Sequence, residues 1–298
     1  MITPPLLAKG NTVGIVSTAR KISKLELAPL LQLLTDWGLH YRLGNTIDAE
    51  DHQYAGNDAL RARDFQEMMD DPSIHAIWCA RGGYGTVRII DALDFSNFEQ
   101  HPKWIIGYSD VTVLHSHVHN LGIETLHANM AIEIDAKTEA TRSGIRNVLF
   151  GQSHRIQYEM KSDFHRKGMA DGKLVGGNLS LLYALLGSPS DIETDGKILF
   201  IEDLDEMLYH IDRMIQNLKR NGKLKHIKAL IVGGMNDMKD NTIPFGKTAE
   251  EIIWEAVNEY DYPICFGFPA GHIQDNQPLV LGRTVRLQVE DSGVSLQF

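Results

Sequence analysis

Several apolar runs in this chain end in residues that could do chemistry. Trp104-Ile105-Ile106 reads as a short buried strand, and Gly107 then gives the backbone room to turn before Tyr108-Ser109-Asp110. Beyond Ser109 the apolar residues shift to helical spacing, with Val111, Leu114, Val118 and Leu121 on one face. A serine between a strand and a helix start holds its hydroxyl out at the edge of the sheet. The backbone N–H groups that follow point toward any negative charge formed there. That placement suits a nucleophile, although serine and aspartate are also ordinary helix N-caps. A nucleophilic serine needs a base, and the base needs an orienting acid. His272 follows the apolar run Pro263–Phe268 after the small turn Ala270-Gly271, at the C-terminal strand edge where open α/β sheets form their sites. A surface loop histidine is an equally open reading of it. Glu202 and Asp203 end the run Ile198-Leu199-Phe200-Ile201. A carboxylate at the end of so apolar a strand is paired or functional, because desolvating it alone is costly. Strand alternation sends the two acids to opposite faces, so at most one enters a shared site, and either could instead stabilise the start of the next helix.

Two further stretches invite a ligand. Arg81-Gly82-Gly83-Tyr84-Gly85 fits neither the dinucleotide nor the P-loop spacing. Successive glycines at a strand end can leave backbone N–H groups free for an oxyanion, or can simply form a tight turn. Arg81 could hold a substrate carboxylate or make a structural ion pair. In His115-Ser116-His117-Val118-His119 only His115 and His119 share a helix face, and no Glu or Cys completes a metal set in register. A solvated helix face is therefore expected, and no metal.

The elements that must position these residues alternate strand and helix. Strands are expected at 12–16, 39–43, 75–80, 104–106 and 124–127, with helices at 24–37, 57–70 and after Ser109. The pattern calls for a parallel sheet with helices on both faces. The expected organisation is a first domain over 1–150, a polar linker over 151–171, and a second α/β domain over 172–298. The second domain closes with an antiparallel pair, 279–289 and 294–298. The chain has 298 residues, 43% of them hydrophobic, and a formal net charge of −10, which argues against a nucleic-acid or anionic-membrane surface. Cys79 and Cys265 lie in apolar runs and read as buried free thiols. No segment has the length of a membrane span, and the start lacks the pattern of a signal peptide, so a cytoplasmic location is expected.

Taken together these segments resemble the LD-carboxypeptidase family of serine peptidases, which includes muramoyltetrapeptide carboxypeptidases and microcin C immunity peptidases. The resemblance is carried by Ala76–Gly85, Ile106–Thr112, Leu174–Leu181, Leu199–Asp203 and Phe268–His272, in the family's order. Ser17-Thr18-Ala19-Arg20 departs from the more usual Ala-Pro-Ser at that turn. The resemblance implies a Ser109–His272–Glu202 triad, choosing Glu202 over Asp203, with an oxyanion hole from backbone N–H groups of Gly82, Gly83 and Asp110. It implies a flavodoxin-like N-terminal domain carrying the nucleophile elbow, beside a smaller C-terminal α/β domain. The site then lies in the interdomain cleft, without metal or cofactor, in a chain that is commonly a homodimer. The expected reaction is release of terminal D-alanine from murein tetrapeptides in cell-wall recycling. The alternatives are an immunity-type peptidase cleaving an aminoacyl-adenylate amide and a non-catalytic module binding peptides or phosphorylated ligands. The immunity reaction calls for an aromatic to stack on a nucleobase, yet Trp37, Trp78, Trp104 and Trp254 all fall in helix or strand patterns.

Overall fold

Strands covered by helices on both faces must be apolar on both faces, and the runs around Val13–Val16 and Ala76–Cys79 are buried at every position. In the computed structural model, which describes residues 1–298, the first part of the chain alternates strand and helix. Its elements are β1 (Thr12–Val16), α1 (Ala28–Asp36), β2 (His40–Leu43), α2 (Asp58–Asp70), β3 (Ile74–Cys79) and α3 (Ser96–Gln100). They continue with β4 (Trp104–Gly107), α4 (Thr112–Asn120), β5 (Thr125–His127) and α5 (Glu139–Leu149). Strands β2-β1-β3-β4-β5 lie side by side and parallel, the flavodoxin-like order. Helix α1 is shorter than the apolar spacing from Lys24 predicts, because Pro29 sits at its first turn and is best placed there.

The remainder builds a second sheet from β6 (Arg155–Tyr158), β7 (Gly168–Asn178), β8 (Ile198–Leu204), β9 (Ala229–Asn236) and β10 (Ile264–Cys265). Helices α6 (Leu179–Leu185), α7 (Leu208–Arg220) and α8 (Ala249–Val257) lie among them in the chain. Strand β11 (Leu279–Leu281), β12 (Thr284–Glu290) and β13 (Gly293–Gln297) complete the order. The second sheet runs β10-β9-β8-β7-β12-β13-β6, parallel through β7 and antiparallel beyond it. Two expectations are corrected here. The stretch 151–171 read as a linker contains strand: β6 lies at the sheet edge with one buried residue, Ile156, and the first residues of β7 alternate exposure. An edge strand open to water on one face carries half the apolar signal, so it reads as polar connection. The run 279–289 is also two strands, not one. At Gly282, in left-handed backbone, the chain turns; β11 joins the first sheet antiparallel to β5, and β12 stays in the second.

The two sheets meet across α4, which packs against β7 and α6. The Asn178 N–H donates to Thr112 Oγ1 at 3.0 Å, and a Cβ on Gly177 would lie 2.5 Å from that oxygen, so only glycine admits the helix. Arg283 and Glu124 add an ion pair between the halves at 2.7 Å. This burial overturns the expectation that the His115–His119 face of α4 is solvated. His115 and His119 are both buried. The Gly107 carbonyl can only accept, so His115 Nε2 donates to it at 2.9 Å, and Nδ1 takes the Thr125 hydroxyl at 2.8 Å. Both nitrogens thus serve the fold.

Burial holds His115 and His119 down to about 4 from an ordinary value of 6.5. The unfolded rings protonate near pH 6.5 and the folded ones only near 4. Their support for folding is therefore whole above pH 6.5 and is lost between those values as pH falls. Each ring is expected to remove about 2 kcal/mol of stability between pH 7.5 and pH 5. Urea unfolding of wild type and of His119→Gln at both pH values checks this: the variant should lose about 2 kcal/mol less than wild type, and equal losses contradict it.

Candidate functional site

Strand β4 leaves the first sheet through extended backbone at Tyr108, and Ser109 then takes φ +58°. A serine in left-handed backbone is uncommon and costs about 1–3 kcal/mol, held only where its surroundings over-determine it. Here a 3₁₀ turn over Ser109–Val111 runs directly into α4, the helix wedged between the sheets. Ser109 is 8% exposed and lines a cleft of about 490 Å³, which His272, Gly82 and Gly83 line as well. The ring of Tyr108 lies 4.7 Å from the ring of His272, which places the serine turn and the histidine loop side by side.

Glu202 sits near the end of β8 with no exposed surface, and His272 follows β10 on a loop. Glu202 Oε2 accepts from His272 Nδ1 at 2.6 Å and from the His272 backbone N–H at 3.3 Å. The loop can come this close because Gly271, at φ +107°, has no Cβ; one would stand 2.7 Å from Glu202 Oε2. A carboxylate accepting from Nδ1 fixes the proton there and leaves Nε2 with a free lone pair, the tautomer a general base requires. Asp203 turns the other way. It accepts from Asn178 Nδ2 at 2.9 Å and from the Ser180 N–H and hydroxyl at 2.9 and 2.7 Å. Burial, and then the charge of Glu202, push its carboxyl up to about 6. Strand alternation thus separates the two acids as the sequence indicates, although Asp203 still reaches the cleft wall.

The glycine turn after β3 is held from behind. Asp110 Oδ2 accepts from the Thr86 N–H at 2.9 Å and its hydroxyl at 2.6 Å, and Thr86 Oγ1 lies 2.7 Å from Thr18 Oγ1. Desolvation raises the Asp110 carboxyl, and the Thr86 donors oppose that. The fully buried Arg61 donates to the Thr18 and Gly85 carbonyls at 2.6 and 3.0 Å, stacks 4.8 Å from the Tyr54 ring and pairs with Asp58. These bonds set the turn beside the residue that follows Ser109. The Gly82 and Gly83 N–H groups donate to no acceptor within the protein. Arg81 forms an ion pair with Glu26 at 3.4 Å, the structural option of the two the sequence left open.

Sequence reasoning did not single out Tyr108, Asn178, Ser180, Asp203's donors or the free Arg20 as cleft residues. Asn178 and Ser180 lie in a stretch that the resemblance covers, so a signal existed. Arg61 is buried inside a helix whose apolar signal is weak, and nothing in its spacing marks it.

A strained serine on one sheet and a Glu–His pair on another, facing one cleft, define a two-sheet α/β protein with the parts of a serine hydrolase. Residues 13–128 match the LD-carboxypeptidase N-terminal domain and residues 171–287 the LD-carboxypeptidase C-terminal domain. The chain belongs to the LD-carboxypeptidase family and is a serine-type carboxypeptidase. It is 36% identical over 289 residues to a probable murein peptide carboxypeptidase of Bacillus subtilis, covering 94% of this chain and 89% of that one. It is 27% identical over 288 residues to a murein tetrapeptide carboxypeptidase of Pseudomonas aeruginosa, covering 93% and 92%. The fold is shared with the crystal structure of muramoyltetrapeptide carboxypeptidase from Oxalobacter formigenes, at TM-score 0.87 and 24% identity over 96% of this chain and 98% of that one.

Thr86→Val keeps the shape of the turn's support and deletes its hydroxyl, leaving Asp110 with one fewer donor and Thr18 without a partner. The variant is expected to lose about 2 kcal/mol in urea unfolding, the usual cost of removing a hydrogen bond to a buried charged group. A change below about 0.5 kcal/mol, the size of an ordinary surface substitution, would show that the network does not hold the turn.

Proposed function

We propose that this chain releases the terminal D-alanine from murein tetrapeptides, with Ser109 as nucleophile, His272 as general base and acid, and Glu202 orienting His272. The observation that carries this reading is the 2.6 Å bond from His272 Nδ1 to the fully buried Glu202, in the cleft that Ser109 enters in strained backbone. On this reading Ser109 Oγ attacks the carbonyl carbon before D-alanine while its proton passes to His272 Nε2. The carbonyl π electrons move to oxygen, and the oxyanion is met by N–H groups of Gly82, Gly83 and Asp110. Collapse breaks the C–N bond, and His272 returns the proton to the departing amine. Water then attacks the acyl-enzyme, giving its proton to His272, and a second collapse frees the shortened peptide and restores the Ser109 hydroxyl. The names of the murein carboxypeptidase relatives support the choice of substrate. We place the activity in the cytoplasm, on wall fragments, in a homodimer, as the family resemblance suggests. No helix is long and apolar enough to cross a membrane.

The test is D-alanine release from a murein tetrapeptide. Ser109→Ala and His272→Ala are each expected to lower kcat by about 10⁴- to 10⁶-fold, and Glu202→Gln by about 10³- to 10⁴-fold, as single losses from coupled triads do. Release at the wild-type rate by Ser109→Ala would falsify the mechanism.

A further inference from the structure

We infer that Arg20 is the residue that holds the terminal carboxylate of the substrate. This rests on the carboxypeptidase reading above and adds to it the group that makes the enzyme act at a chain end. The cleft is lined by two arginines, Arg20 and Arg81, and by the acids Glu133, Asp203, Asp205 and Glu206. A substrate carboxylate is repelled by the acids and must lie along the arginine wall. Arg81 is already engaged by Glu26 at 3.4 Å and by the Lys21 carbonyl at 3.2 Å. Arg20 is exposed, its guanidinium has no carboxylate partner in the protein, and it faces the cleft.

Its position suits a carboxypeptidase more than an endopeptidase. The Arg20 N–H donates to the Gly82 carbonyl at 3.4 Å, and its side chain lies over the open face of Gly83. A Cβ on Gly83 would stand 2.5 Å from Arg20 Nε and 2.6 Å from its Cδ, so the glycine makes room for the guanidinium stem. The guanidinium therefore sits next to the turn whose free N–H groups are assigned to the oxyanion. In a peptide the terminal carboxylate is one residue beyond the scissile carbonyl, a reach of about 3.5 Å. Adding a hydrogen bond of about 2.8 Å, its anchor must stand within about 6–7 Å of the point of attack. Arg20, packed on Gly83 in the cleft that Ser109 lines, stands on the side where that anchor is needed, and its planar fork matches a carboxylate with two parallel bonds, which an ammonium cannot do. A chain that continues past the scissile bond would present a neutral amide there and would leave the fork unpaired.

The experiment compares the murein tetrapeptide ending in D-alanine with the same peptide ending in D-alaninamide. Wild type is expected to favour the acid, and Arg20→Gln to reduce the acid-to-amide ratio of kcat/KM by about 10- to 100-fold, the range of a charge-assisted bond. Arg20→Lys, which keeps the charge and loses the fork, should fall between them. An unchanged ratio in Arg20→Gln, or equal losses on acid and amide, overturns the assignment. Calorimetric titration of the Ser109→Ala protein, with and without Arg20→Gln, separates the two layers. If that protein binds the acid but wild type releases no D-alanine, the proposed reaction fails, and Arg20 then stands or falls on whether its loss weakens acid binding by the same factor. If neither peptide binds, both fail.

Discussion

The site depends on a joint between two sheets. Asn178 ends β7, pairs in register with Glu202 on β8, and donates its N–H to Thr112, the first residue of α4. Helix α4 in turn begins three positions after Ser109. The contact that docks one sheet on the other is therefore fastened at the neighbours of the two residues it must bring together. A serine hydroxyl and an imidazole react only when held within about 3 Å, and such positioning supplies much of a catalyst's advantage. A loose joint would leave each half with its groups intact and the reaction lost. Gly177, which lets Thr112 come close, and Gly271, which lets the His272 loop come close to Glu202, serve the same end. At both, a side chain would push apart surfaces that the chemistry needs in contact.

Around that joint the polar residues are buried at a cost that hydrogen bonds offset. Glu202 and Asp203 are adjacent and both nearly inaccessible, so their charges oppose each other. The strand separates them: Glu202 faces His272, and Asp203 faces Asn178 and Ser180. Asp203 keeps its neighbours ordered, and the four donors from Asn178, Ser180 and the Leu204 N–H do not fully offset its burial and the Glu202 charge, which is why its carboxyl stays raised. Asp110 and Arg61 act alike on the other wall, fixing the glycine turn from behind while its N–H groups stay free. The cleft thus has a rigid rear built from paired polar groups and an open front whose charges are available to a ligand.

Much of the fold was legible because parallel strands buried on both faces leave continuous apolar runs, and β1, β3, β4 and β8 all stand close to where those runs predict. The edges were not. β6 and the start of β7 face water on one side, and β11 is three residues long and crosses to the other sheet, so each lacks the pattern that marks a central strand. The burial of the α4 histidines is hidden in the sequence for a related reason: a helix covered by a second sheet looks, in local sequence, like one covered by solvent. Strand ends marked Ser109 and His272 as candidates, and the family resemblance, not the strand ends, joined them in one triad. The choice of Glu202 over Asp203 came from family resemblance, and the hydrogen bond to His272 now supplies its physical reason. Arg61 carried no signal and Arg20 only its place in a turn that departs from the family's usual Ala-Pro-Ser, since a buried cation and a free one look the same in sequence.

The central claim is that Ser109 is the activated nucleophile and that the second sheet activates it. The most direct measurement is covalent labelling by a fluorophosphonate followed by peptide mass spectrometry, in wild type and in His272→Ala. The account predicts one modified peptide, carrying the adduct on Ser109, with labelling lost when His272 is removed. An adduct on another residue, or labelling of Ser109 that persists at the same rate without His272, would contradict it.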